Sequence, residues 1–109
     1  MTIDFKNATY SELPNFNGGE GVFRADIFND GLNKILKGRL DHGCTIGLHC
    51  HDTSSEIIFI LEGEGEVLHE GETTPLSAGD CHYCKKGESH SLRNFGDRPL
   101  IFYAVVAQQ

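Results

Sequence analysis

The chain has no apolar run long enough to cross a membrane as a helix. Its first residues, Met1 to Phe16, lack the basic start and apolar block of a secretory leader, so the sequence reads as cytoplasmic and not membrane-bound. Positive charge is also scarce. Nine Lys and Arg face sixteen Asp and Glu, giving a formal charge of −7 at pH 7. Such a surface repels phosphate backbones and anionic lipid, which argues against nucleic acid and membrane as partners. The cations that do cluster, Lys34 with Lys37 and Arg39, and Lys85 with Lys86, read as solvated surface groups. Helical periodicity is missing too: Ala8–Leu13 offers one turn at most.

What the chain does have is glycine, thirteen in 109 residues, punctuating short apolar runs. Strands are expected over Val22–Phe28, Lys34–Leu40, Thr45–His51, Glu56–Leu61, Gly65–His69, Glu72–Leu76, Cys81–Cys84, Ser89–Asn94 and Leu100–Ala107. They are separated by turns such as NDG, DHG and KKGE. Many short strands with no helices mean an all-β sandwich or barrel. The length suits one domain. Residues 1–21 are expected to form an N-terminal arm packed across a barrel of residues 22–109, or across a partner.

Four cysteines, Cys44, Cys50, Cys81 and Cys84, form an even set. Without sign of export, reduced thiols are expected rather than disulfides. Cys81 and Cys84 have CxxC spacing, but in a strand, where positions of unlike parity point to opposite faces. They therefore should neither bridge nor share a zinc ion.

Chemistry concentrates in GCTIGLHCHDTSSEIIFILEG, residues 43–63. Side chains at i and i+2 of a strand share a face, so His49 and His51 project together and Cys50 points away. Glu56 opens the next strand, where an antiparallel neighbour brings its carboxylate beside the two rings. Two imidazoles and a hard oxygen suit iron, manganese, nickel, cobalt or zinc.

This stretch resembles the first motif of the cupin superfamily, G(X)5HXH(X)4E(X)6G, with Gly43, His49, His51, Glu56 and Gly63 at its fixed positions. The second motif, G(X)5PXG(X)2H(X)3N, is matched by Gly79, Gly87, His90 and Asn94. Lys85 stands at the proline position, which puts the stiffness of that turn in question. The spacing between the motifs is similar to that of the shortest, single-domain cupins. The resemblance implies a double-stranded β-helix, or jelly-roll barrel. It also implies one divalent transition metal bound by His49, His51, Glu56 and His90, with Asn94 structural.

Among the other histidines, His42 and His69 sit at turns and read as exposed. His82 lies in a strand that lines the barrel near the metal in cupins. Its face is not fixed, because the KKGE turn breaks the register with His90. Inward, it is a catalytic candidate, a general acid/base or a group behind a ligand; outward, it is a surface histidine. The aromatics Phe59, Phe102 and Tyr103 read as core, or as walls of a pocket.

The resemblance implies a metal-dependent enzyme acting on a small polar or carboxylate-bearing metabolite, of the dioxygenase, decarboxylase, isomerase or lyase class. The alternative is a non-catalytic metal- or small-ligand-binding module. A homodimer is expected as well. Ile57–Leu61 and Leu100–Ala107 are apolar on both faces, a barrel interior covers one face only, and Met1–Gly21 offers few apolar groups.

Overall fold

The computed structural model describes residues 1–109. Ten strands follow one another: β1 Ser11–Pro14, β2 Val22–Asn29, β3 Asn33–Leu40, β4 His49–Cys50, β5 Ser54–Glu62, β6 Glu64–His69, β7 Glu72–Ser77, β8 Cys81–Cys84, β9 Ser89–Arg93 and β10 Leu100–Gln108. They make two antiparallel sheets, a six-stranded one in the order β1-β2-β3-β10-β5-β8 and a four-stranded one in the order β4-β9-β6-β7. This is the all-β jelly-roll arrangement expected from the sequence. No helix is long and apolar enough to cross a membrane.

Alternation sets the core. Phe23 and Ala25, Leu36 and Leu40, Ile58 and Ile60, and Phe102 and Ala104 face inward from the larger sheet, and Val67, Leu76 and Leu92 meet them from the smaller. Gly38 lies between Ala25 and Phe102 in the sheet. A β-carbon there would come within 2.4 Å of the Phe102 ring and 2.9 Å of Phe23, so only glycine lets these two rings stack over the strand. Asn94, fully buried, donates from Nδ2 to the Leu40 and Arg98 carbonyls at 2.8 Å each, and its Oδ1 accepts from Gly96 N at 2.9 Å. It thereby ties the end of β9 to β3 and closes the turn that leads into β10.

Three local expectations are corrected. Ser11–Pro14 is an edge strand rather than part of a helical turn, and a single 3₁₀ turn falls instead at Phe16–Gly18. Proline has no N–H to give a ladder, and an edge strand needs none there. The strand expected over Thr45–His51 is reduced to His49–Cys50, with an isolated bridge at Thr45. Ile46 N still donates to Leu92 O of β9 at 2.8 Å, but the pairing breaks at Gly47, whose N donates instead to Phe16 O at 3.0 Å. A β-carbon on Gly47 would lie 2.0 Å from Asn17 O, so glycine admits the 3₁₀ turn against this segment. Phe59 is neither core nor pocket wall: it points outward from β5 and is 48% exposed.

The first residues also cover more of the larger sheet than their composition promised. Phe5 packs on Tyr103 with ring centres 5.6 Å apart, Lys37 Nζ donates to the Phe5 carbonyl at 3.2 Å, and Thr9 N donates to Asp26 at 3.2 Å. Phe59 and Tyr83, on the far strands β5 and β8, stay exposed.

Candidate metal centre

The site forms where the two sheets face each other. In the smaller sheet, His49 of β4 is the register partner of His90 of β9, which is also the partner of His69 of β6. In the larger sheet, Glu56 of β5 stands opposite Cys84 of β8, and Ile58 opposite His82. Inward-facing positions of both sheets thus bring the histidines and the glutamate into one volume.

Four of these side chains converge. The Nε2 atoms of His49, His51 and His90 lie 3.0–3.2 Å from one another. Glu56 Oε1 is 3.1 Å from His51 Nε2 and 2.8 Å from His90 Nε2. The opposite edge of each ring has an acceptor at Nδ1: the Gly47 carbonyl for His49 at 2.7 Å, Ser54 Oγ for His51 at 3.2 Å, and His82 Nε2 for His90 at 2.9 Å. With Nδ1 of His49 donating to a carbonyl, its Nε2 presents a lone pair to the cluster. Rings oriented in this way are characteristic of metal-binding histidines. Metal–nitrogen bonds of about 2.1 Å at right angles put neighbouring donors ~3 Å apart. The spacing and the donor set therefore fit a divalent transition metal.

The electrostatics agree. Burial alone would raise the pKa of Glu56, but hydrogen bonds from His51 and His90 outweigh it and pull the carboxylate down to about 2. Burial lowers the pKa of His49, reinforced by the neighbouring His90 and His51. Both shifts favour deprotonated Glu56 and His49, the forms that can ligate, while an Nε2 proton that His51 or His90 gives to Glu56 must leave before that nitrogen binds a metal.

A cavity of roughly 380 Å³ opens onto this cluster, and His49, His51 and Glu56 are in its wall. His90, only 1% exposed, closes the cluster from behind. His82 is buried, facing inward, and meets the back of His90 rather than the cavity wall. Burial pushes its pKa down to about 4, helped by His90 and His69.

Two expectations about surface groups are corrected here. His69 is half-buried rather than exposed. It packs edge-on against His82 with ring centres 5.0 Å apart, and its Nε2 lies 3.1 Å from Glu88 Oε1. Its parity with the core residue Val67 carried that signal. Lys34 belongs to the cavity wall rather than to a solvated patch. The placement of the remaining site groups follows alternation: Cys50 is exposed, Cys81 exposed and Cys84 buried. Lys85, at the position where the motif has proline, uses the N–H that proline lacks. It donates to Glu88 Oε1 at 2.8 Å, and Glu88 N returns a bond to the Lys85 carbonyl at 3.0 Å. The turn is held by this exchange in place of a ring.

Residues 37–106 match the family model described as Cupin domain. The chain is 31% identical over 112 residues to the oxalate-binding protein of Thermotoga maritima, spanning 97% of this chain and 93% of that one. It is 40% identical over 105 residues to an uncharacterized protein of Methanocaldococcus jannaschii, spanning 92% of this chain and 84% of that one. The crystal structure of a predicted oxalate decarboxylase from Thermotoga maritima superposes with a TM-score of 0.93 at 30% identity, with both chains fully covered. KdgF from Halomonas sp. shares the fold at a TM-score of 0.82 and 15% identity, covering 100% of this chain and 95% of that one.

Proposed function

The chain belongs to the cupin family, and from that premise we propose that it holds one divalent transition-metal ion on His49, His51, Glu56 and His90 and uses it to bind the carboxylate of a small polar metabolite. The observation that carries this reading is the convergence of three imidazole nitrogens and one carboxylate oxygen at the end of a cavity. A bound ion supplies a Lewis-acid centre for a carboxylate or hydroxy-carbonyl oxygen. The chain's own groups do the rest. Gly47, Ser54 and His82 hold the three rings in orientation, and Glu56 offsets part of the charge. Phe23, Leu36 and Phe102 give the inner cavity an apolar wall. The names of the Thermotoga maritima relatives support oxalate as the first ligand to test.

Whether binding leads to turnover separates an enzyme of the decarboxylase, dioxygenase, isomerase or lyase class from a binding module. His82 lies behind His90, which favours a role in positioning that ring over proton transfer to a ligand. Elemental analysis of the purified protein should find one ion per chain, and far less in His51→Ala and His90→Ala. A His49→Ala/His51→Ala double variant that keeps full occupancy would overturn the assignment. Calorimetry with oxalate, before and after chelator treatment, then tests carboxylate binding. Release of formate and carbon dioxide from oxalate would mark a decarboxylase, and binding heat without product a binding module.

We also propose a homodimer. Tyr83 stands opposite Ile57 across β5 and β8, next to Phe59, and the N-terminal residues leave Phe59 and Tyr83 each 48% exposed. A two-fold contact between such like patches closes at two copies.

A further inference from the structure

The cavity is much larger than an ion as small as oxalate requires; roughly 380 Å³ falls within the range of metabolite-sized pockets. Its wall indicates what occupies the remainder. Asn29 of β2 pairs with Lys34 of β3, Lys34 with Val106 of β10, and Val106 with Glu56 of β5. These four residues form one row across the larger sheet, and all four line the cavity. Strands lie about 4.8 Å apart, so the backbones of Lys34 and Glu56 are separated by roughly 10 Å.

Lys34 has the parity of Leu36 and Leu40, both buried, and so occupies an inward position. Lys34 is half-buried and Asn29 beside it is exposed, so the pair stands at the solvent-facing mouth of the cavity. Lys34 takes part in none of the protein's ion pairs. Apart from the histidines, Lys34 and Glu56 are the charged residues in the cavity wall, and Glu56 is engaged by His51 and His90. Beside Lys34, Asn29 accepts the Gly31 N–H at Oδ1, which leaves its Nδ2 to donate. Between the two ends of the row the wall is apolar, with Val106, Phe102 and Leu36.

We propose that Lys34, with the Asn29 amide, forms a second anion subsite. The ligand is then a doubly anionic metabolite: a carboxylate at the histidine cluster, a hydrocarbon stretch along Val106, and a terminal carboxylate or phosphate at Lys34. This inference rests on the carboxylate-binding reading above and narrows it to longer diacids.

Calorimetry on the protein with its purified metal complement tests it, using oxalate, glutarate, pimelate, 4-phosphonobutyrate and the monoacid hexanoate. At least one of the longer dianions should bind tenfold or more tightly than hexanoate. Lys34→Gln should remove that preference while leaving metal content and hexanoate affinity unchanged, and Lys34→Arg should keep it. The tighter of the carboxylate- and phosphonate-ended ligands identifies the terminal group. Equal binding of hexanoate and the dianions, or a preference that survives Lys34→Gln, overturns the subsite. Binding of oxalate with rejection of every longer dianion overturns the subsite alone. Binding of no carboxylate at all overturns the carboxylate reading and the subsite with it.

Discussion

His82 Nε2 lies 2.9 Å from Nδ1 of His90, and the two rings stack with centres 5.2 Å apart. A buried histidine thus holds a cluster residue by its far nitrogen. Removing it leaves all four converging donors in place but frees the His90 ring to turn. His82→Ala is expected to retain one metal site per chain and to lose metal affinity by about 10–100-fold, the usual cost of an outer-shell partner. Competition with a chelator measures this. His82→Gln, whose amide can accept from His90, should recover part of the loss. Unchanged affinity in both variants would make His82 a packing residue only.

The thiols should differ in reactivity by position. Burial pushes the Cys84 pKa up to about 12, with Glu56 and Glu88 adding to the shift, so its thiolate stays scarce as the pH rises from 7 to 9. Cys81 is exposed. Cys50 is exposed as well, but its bond to Asp52 raises its pKa. With a disulfide reagent at pH 8, Cys81 should react first and Cys50 more slowly, accelerating as pH rises. Cys84 should react only after unfolding. The unfolded, unreduced protein should titrate four thiols; a smaller number would reveal a disulfide.

Asn94→Ala should destabilise the fold without touching the histidine cluster. The substitution strips bonds from the Leu40 and Arg98 carbonyls and from the Gly96 N–H. Each buried group left unsatisfied costs about 1–3 kcal/mol, which for a domain of this size lowers the melting temperature by roughly 10 °C or more. Calorimetric melting checks it; a shift of only a degree or two would show that water replaces the amide.

Phe59→Glu tests the proposed dimer. Phe59 projects from β5 on the side away from the core, so a charge there leaves the interior intact. Light scattering should report a dimer for the wild-type chain and a monomer for the variant. A wild-type protein that remains monomeric at high concentration would mean that Phe59 and Tyr83 simply face water.

His49, His51 and Glu56 were legible together because a two-residue period fixes which side chains share a face, and a short connection brings Glu56 back beside them; His90, thirty-four residues further on, was legible only through the resemblance to the second cupin motif. Most strands were legible from the same two-residue period, with bounds within two residues. Where period two failed, so did the reading. The turn Lys85–Glu88 breaks the register between β8 and β9, so the face of His82 could not be inferred. β1 is four residues with a proline and no alternation long enough to detect. Thr45–Leu48 has strand-like composition, yet its pairing with β9 is interrupted at Gly47, whose N–H goes to the 3₁₀ turn, a contact between residues about thirty positions apart that no local pattern encodes. His69 looked like a surface group because it adjoins a turn, and Lys34 because it sits in a cluster of cations; in each case parity with a buried neighbour on the same strand was the better guide.

The shortness of β4 sets how the centre would exchange its contents. Thr45 and Ile46 are anchored to β9 by a bridge to Arg93 and the Ile46 N to Leu92 O bond, but beyond them the residues carrying His49 and His51 have only a two-residue ladder with β9 and loop contacts: Gly47 N to Phe16 O, His51 N to Glu88 O, and Gly87 N to His51 O. Glu56 and His90 sit in longer strands paired on both sides. Local opening free energies follow such differences in reinforcement. Residues 47–51 should therefore open well before the rest of the molecule unfolds, carrying two donors away together while the other two stay in place. Amide exchange in that segment, rather than the melting temperature, would then set the rate at which a chelator strips the centre.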